Sequence, residues 1–267
     1  MRDLTIAVMS CGPNKHKRDV IRRTWATDLP ADVPVLFFVG DTEADDAIRL
    51  SCPDDYEHCW LKQMQMIRHL WERSHVFFCD DDTYVVAKRL LESGYDQHRY
   101  MGCPCQIEDG VTMAHGGAGF FLNRTAMKAT NRISDKHDVF KSTTFSDRIV
   151  GKLMKIVGIK LFPDFRFNPG KYKNDKGFCN LVPNQSNRYI TTHFVTPQLM
   201  ELLDHHFKNG GPTPRNIYDM FFEGKRVLVY ESEGDWNYLI EGTGEAVGGF
   251  KLAHFAEAEA FSRLGKK

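Results

Sequence analysis

The stretch FFCDDDTYVV, Phe77 to Val86, sets an apolar run against three consecutive aspartates and then returns at once to β-branched and aromatic residues. An apolar run of this length, HVFFC from His75, reads as a buried β-strand with the acidic residues at its carboxyl end. Open α/β sheets bind ligands in the crevice outside the carboxyl ends of their strands. Three adjacent carboxylates raise one another's pKa unless a cation intervenes. Oxygen donors of this kind suit Mg²⁺ or Mn²⁺, ions that keep positions open for phosphate oxygens. The competing reading is a polar turn closing a strand, since Asp is a common turn former. Side chains alternate along a strand, so Asp80 and Asp82 are expected to diverge from Asp81. Asp82, nearest the cleft, is the expected metal ligand, with Asp81 placed to hold a sugar hydroxyl or ribose.

The surrounding 267 residues contain 42% hydrophobic and 26% charged residues, ordinary for a globular protein. Lys and Arg total 35 and Asp and Glu total 35, which removes any global electrostatic case for nucleic acid or an anionic membrane. No run of about 18 apolar residues marks a membrane span. The strand-like LTIAVMS so close to Met1 leaves no room for a signal peptide. The expectation is a soluble, cytoplasmic chain, or a lumenal Golgi or ER protein if the sequence is a trimmed catalytic portion. The seven cysteines form no zinc-type CxxC doublet. NRT at Asn123 and NQS at Asn184 match the glycosylation pattern, a weak signal at this length.

Working outward from the aspartates, the pattern is α/β. LTIAVMSC and VPVLFFVG read as strands and KRDVIRRTWA as a short basic helix between them. From Trp60 to Arg73, Trp60, Met64, Ile67 and Trp71 recur at helical spacing, which predicts a helix lying on a sheet. AKRLLESGY reads as a helix and RYMGCP as a strand. HGGAGFFLNRTAMKAT reads as a glycine turn, a strand and a helix, and TFSDRIVGKLMKIVGI as a helix. Beyond about Lys160 the pattern loosens around short strands such as RYITTHFV and KRVLVY, expected to complete the sheet. With no repeat or linker visible, a single α/β domain over 1–267 is expected, in a first part over about 1–105 and a second over about 106–267.

Three further features carry candidate chemistry. HGGAGFF, His115 to Phe121, is either a tight turn or a wall where backbone approaches a bulky ligand closely. Asp147 begins a helix, where a carboxylate caps or stabilises the first turn but also stays ionised, which leaves a base role open. His193 is either a half-buried strand histidine or a neutral imidazole ligand.

TIAVMSCGPNKHKRDVIRRTW, FFCDDDTYV, HGGAGFFLNRTAMK, SDRIVGKLMKIVGI and THFVTPQLMELL occur in the order and approximate spacing of the fringe and core 1 β1,3-galactosyltransferase group of glycosyltransferase family 31. The resemblance runs from about Leu4 to Leu203, and FFEGKRVLVY is similar to the fringe C-terminal segment. It implies a GT-A fold, with a mostly parallel mixed sheet flanked by helices. It also implies a UDP-sugar donor, Mn²⁺ (with Mg²⁺ an alternative), a glycan or glycoprotein acceptor, and an inverting transfer that forms a β1,3 linkage. By position it implies Asp82 and His193 as metal ligands, Asp147 as catalytic base, and Ser10, Asp80, Asp81, His115, Gly116 and Gly117 about the donor. Arg18 falls near the diphosphate, with Lys17 its equal by alignment. The resemblance also suggests a bridge between Cys52 and Cys59, a free pair being the alternative. Ser146 replaces an acidic residue that usually precedes the base, and His115 stands where relatives carry a small residue. Phosphoaspartyl hydrolases also place aspartates at strand ends, but need a second acidic site near the amino terminus, and here the first strand ends in MSCGP. The remaining alternative is a catalytically inactive sugar-binding or scaffold member of the same fold.

Overall fold

The computed structural model describes residues 3–106, 110–134, 144–169, 172–174, 177–179, 189–208, 215–222, 225–232, 235–240 and 246–250, with Ala256 and Arg263. The chain divides into two compact units, Met1–Asn184 with Tyr189–Val195 and Gln185–Arg188 with Thr196–Lys267. Asn184 lies outside the described residues.

The first unit runs in chain order through β1 (Leu4–Met9), α1 (Lys15–Arg23), β2 (Val35–Val39), β3 (Ile48–Arg49), α2 (Cys59–Leu70) and β4 (His75–Asp80). After the acidic turn come β5 (Tyr84–Val85), α3 (Ala87–Leu91), β6 (Tyr100–Gly102), β7 (Pro104–Gln106), β8 (Thr112–Ala114), β9 (Phe120–Asn123), α4 (Arg124–Ile133) and α5 (Ser146–Ile156). The short strands β10 (Phe162–Pro163), β11 (Phe167–Asn168), β12 (Tyr172–Asn174), β13 (Gly177–Cys179) and β14 (Thr191–Thr192) complete it.

Seven strands form the central sheet in the order β10-β6-β9-β4-β1-β2-β3. All its pairs are parallel except those of β9 with β4 and β6, so the sheet is mixed and mostly parallel, as the resemblance implied for a chain of α/β pattern. Its two central strands are apolar on both faces because both faces are covered. On one face Ala7, Phe38, Val76, Phe78, Phe120 and Leu122 pack against α2, α4 and α5 through residues such as Met64, Ile67, Met127, Ile149, Val150 and Leu153. On the other, Phe77 meets Phe121 at 4.8 Å and Phe167 at 5.9 Å between ring centroids. Asn123 caps α4, its side-chain oxygen accepting from Ala126 N at 2.9 Å, so the one described glycosylation-pattern asparagine has a structural role.

A second, small sheet matters more for function. It joins β11, β14 and β5, with Thr191 opposite Val85 and Thr192 opposite Tyr84. This antiparallel register makes the chain after β14 run back past the acidic turn that precedes β5.

The other unit contains α6 (Pro197–Lys208) and an antiparallel four-stranded sheet of β15 (Arg215–Phe222), β16 (Lys225–Ser232), β17 (Asp235–Ile240) and β18 (Ala246–Phe250). KRVLVY lies in β16 and pairs with its neighbours in sequence, so it does not complete the central sheet as its composition suggested. Adjacent long strands joined by short connections satisfy their hydrogen bonds locally. Val227, Val229, Tyr238, Ile240 and Ala256 form this unit's own small core. Among the described residues no helix is long and apolar enough to cross a membrane.

Gly119 fixes how β9 enters the sheet. It has φ +84°, and a Cβ there would lie 2.2 Å from Phe77 Cζ. Gly119→Ala is therefore expected to lower the unfolding free energy by about 2–3 kcal/mol, combining left-handed strain with core overpacking. Urea denaturation measures this, and a midpoint unchanged from wild type would contradict it.

Candidate active site

The acidic triplet splits as strand alternation requires. Asp81 turns toward the loop after β1 and is buried. It accepts from Ser10 Oγ at 2.7 Å, Asn14 Nδ2 at 2.9 Å and Lys17 Nζ at 3.1 Å. Asp80 and Asp82 face the other way, toward His193. The His193 Nε2 lies 3.2 Å from Asp82 Oδ1 and 3.9 Å from Asp80 Oδ2. One donor atom from each of the three falls within 4.8 Å of the others. His193 reaches them because β14 pairs with β5, and because its own N–H donates to Asn168 O at 3.1 Å while Val195 N donates to Asp82 O at 2.9 Å.

The electrostatics follow from this crowding. Burial pushes the Asp80 carboxyl up to about 7, with Asp82, Asp81 and Asp147 adding to the rise and His193 opposing it. Its side chain still keeps 40% of its surface open, so it sits on a crowded cleft floor and not in a sealed core. Burial also works to raise Asp82, but the hydrogen bond and charge of His193 outweigh it and hold that carboxyl below its usual range. The converse applies to His193: burial alone would lower its pKa, and Asp82 followed by Asp80 raise it. Its Nδ1 makes no hydrogen bond of ordinary geometry, although the Pro169 backbone on that side also favours the protonated ring. Two carboxylates and one imidazole, with negative charge in excess, are a donor set that fits a divalent cation.

The glycine turn joins this set to Asp147. A Cβ on Gly117 would lie 2.0 Å from His193 Cε1, so only glycine leaves room for the imidazole. The turn is pinned by Thr83 Oγ1 donating to Gly117 O at 2.8 Å and Thr191 Oγ1 donating to Ala118 O at 2.5 Å. Gly116 N donates to Asp147 Oδ2 at 3.1 Å, and Arg148 N donates to Asp147 Oδ1 at 2.8 Å. Asp147 lies in the first turn of α5, whose N-cap is Phe145, so its carboxylate meets amides of that turn and the glycine turn without being the cap. His115 stands between the two groups, its ring centroid 5.7 Å from that of His193. Burial lowers its pKa, His193 lowers it further and Asp147 opposes them.

Arg18 is placed differently from its sequence expectation. It is 1% exposed and forks onto Asp46, with Nε to Oδ2 and Nη2 to Oδ1 both at 2.9 Å. It also donates to Ser10 Oγ and Cys11 O. Arg18 hydrogen bonds are the largest cause holding the Asp46 carboxyl well below the usual range. Lys17 instead keeps 26% of its side chain exposed beside Asp81. A second buried pair, Lys62 with Asp54 at 2.6 Å, ties both turns at the sheet's carboxyl edge. Asp54 accepts from Gly12 N and Gly40 N, and Lys62 donates to Ser10 O. Sequence reasoning missed Asp46, Asp54, Lys62 and Thr83; the two aspartates lie in acidic loop stretches and Thr83 in a turn, so their roles had no local mark, and Lys62 is a cation in a largely apolar helix. Cys52 and Cys59 are both free thiols.

No family model matches the chain, and no curated protein matches it. Among solved structures, the chain is similar to the galactosyltransferase LgtC in complex with donor and acceptor sugar analogs, at 12% identity and TM-score 0.45, over 73% of this chain and 88% of that one. It is similar to a glycosyltransferase involved in glycosylation of the major capsid of PBCV-1, at 11% identity and TM-score 0.44, over 77% and 98%. A third likeness is to the glycosyltransferase GlyE of Streptococcus pneumoniae TIGR4, at 10% identity and TM-score 0.46, over 73% and 55%. Likenesses of this size say nothing about chemistry.

Gly117→Ala is expected to displace His193 and weaken Mn²⁺ binding by about tenfold or more, the size of effect that loss of ligand orientation produces. Titration calorimetry with Mn²⁺ measures this, alongside a far-UV spectrum reporting the fold. Wild-type affinity in a folded Gly117→Ala variant would refute the steric link.

Proposed function

We propose that this chain is an inverting, metal-dependent glycosyltransferase of the GT-A type. It would move a hexose or N-acetylhexosamine from a UDP-sugar to a glycan or glycoconjugate hydroxyl, forming a β1,3 linkage. One observation carries the reading: the Asp80, Asp82 and His193 set and the Asp147 carboxylate share one glycine turn at the carboxyl edge of a mostly parallel sheet. The motif order shared with glycosyltransferase family 31 supplies the donor class, the stereochemistry and the linkage.

In this reading Asp80, Asp82 and His193 would hold Mn²⁺ or Mg²⁺, which would supply charge neutralisation for a departing diphosphate. Asp147 takes the proton of the attacking hydroxyl. Its two bonds from Gly116 N and Arg148 N fix its orientation and leave acceptor capacity on both oxygens. Asp81 holds Ser10, Asn14 and Lys17 in the turn where the nucleotide would lie. Lys17 is the better candidate for a diphosphate contact, because an ammonium has three donors and one is committed to Asp81, whereas Arg18 is spent on Asp46, Ser10 and Cys11. His115, Gly116 and Gly117 border the transferred sugar.

Two variants separate binding from chemistry. Asp147→Asn is expected to keep UDP affinity while turnover falls by about 10²–10⁴, the usual contribution of a general base. Asp82→Ala is expected to abolish the dependence of UDP binding on Mn²⁺. The measurements are calorimetry with and without metal, and UDP release across a panel of sugar nucleotides. Full turnover by Asp147→Asn, or equal UDP affinity with and without metal in the wild type, would reject the assignment.

A further inference from the structure

Isolated exposed apolar side chains are normal on a protein surface. Three exposed aromatic residues around one cleft need a reason, and Tyr56, Phe145 and Phe194 stand in that relation to Asp80 and Asp147. Tyr56 is 74% exposed, Phe194 49% and Phe145 43%.

Tyr56 projects from a loop that cannot easily fold it away. Asp54 on one side is locked to Lys62, Gly12 and Gly40. Asp55 accepts from His58 N at 2.9 Å, and Cys59 N donates to Tyr56 O at 3.3 Å. The Cys59 thiol reaches Thr144 O at 3.6 Å, which sets this loop against the residue preceding Phe145. The Tyr56 phenol lies within electrostatic reach of both Asp80 and Asp147. Phe145 is two residues before Asp147, with the Arg148 guanidinium 4.9 Å from its ring centre.

Phe194 approaches from the metal side, its ring centroid 3.8 Å from that of His193. It holds φ +60°, a left-handed conformation that is strained for an aromatic residue and persists only where the surroundings impose it. Here the bonds from His193 N to Asn168 O and from Val195 N to Asp82 O impose it, and they present the ring to solvent.

We infer that Tyr56, Phe145 and Phe194 form an acceptor platform that stacks against the apolar face of a neutral pyranose ring. The proposal rests on the glycosyl-transfer reading and adds the chemical class of its acceptor. The electron-rich face of an aromatic ring attracts polarised C–H groups, and stacking by the ring face leaves a sugar's equatorial hydroxyls free at the ring edge. Neutrality follows from Asp147 on the acceptor side, which opposes an anionic sugar by like charge, whereas Asp80 and Asp82 are offset by the cation they would hold.

The test begins with calorimetry of UDP with Mn²⁺, then measures initial rates against neutral methyl hexopyranosides, methyl glucuronide and a Ser/Thr peptide. Tyr56→Ala is expected to raise the acceptor KM by about tenfold, the loss of a well-stacked aromatic anchor, with UDP affinity unchanged. Tyr56→Phe is expected to keep the wild-type KM, which a Tyr56 acting through its hydroxyl would not allow. Phe145→Ala and Phe194→Ala are expected to act in the same direction. An unchanged KM in all three alanine variants, a preference for methyl glucuronide, or transfer to the peptide alone would overturn the platform while leaving glycosyl transfer intact. Failure of the wild type to bind UDP with Mn²⁺ would instead remove glycosyl transfer itself, and the platform with it.

Discussion

Like charge at the end of β4 is the constraint on which the rest of the site depends. Three carboxylates in sequence cannot share one small volume without raising one another's pKa. Strand geometry separates them into two environments: Asp81 among hydroxyl, amide and ammonium donors, Asp80 and Asp82 against a single imidazole. The second group is only half relieved. Burial first, with the charges of Asp82, Asp81 and Asp147 added to it, keeps Asp80 pushed up to about 7, and the relief still required is what a divalent cation would provide.

Much of the neighbouring structure serves to bring His193 into position. The β14 strand is two residues long, yet its pairing with β5 aligns the chain so that the next residue is His193. Gly117 is without a side chain where the ring needs space. Thr83 and Thr191, both buried, hold the glycine turn by its carbonyls, so the turn cannot retreat. Behind the site, the Arg18–Asp46 and Lys62–Asp54 pairs anchor the loops after β1 and β2. Removing one partner of such buried pairs costs about 3–5 kcal/mol because the other charge is left uncompensated. The exposed Lys15–Asp19 pair, by contrast, belongs to a class worth about 0–1 kcal/mol.

What the sequence made legible was local. Alternation along a strand was enough to separate Asp81 from its neighbours, and the glycine turn and the helical place of Asp147 could be read from composition. The central sheet followed from the alternation of apolar runs with helical spacing. Long-range pairing was not legible. Arg18 was placed near the diphosphate by the resemblance alone, and nothing in the sequence marks its actual partner Asp46, 28 residues away. Asp80 joined Asp82 and His193 through an antiparallel register set by two threonines; RYITTHFV reads as a strand, but nothing in it marks β5 as its partner. The strands of KRVLVY and its neighbours showed the right periodicity but carried no mark of the sheet to which they belong.

The most direct measurement is pulsed electron paramagnetic resonance on the protein loaded with Mn²⁺. Coupling to a single imidazole nitrogen is expected in the wild type and should vanish in His193→Ala, with weaker Mn²⁺ binding in Asp80→Ala and Asp82→Ala. An unaltered nitrogen signal in His193→Ala, or Mn²⁺ affinity indifferent to both aspartate substitutions, would contradict the assignment of this cluster as the cation site.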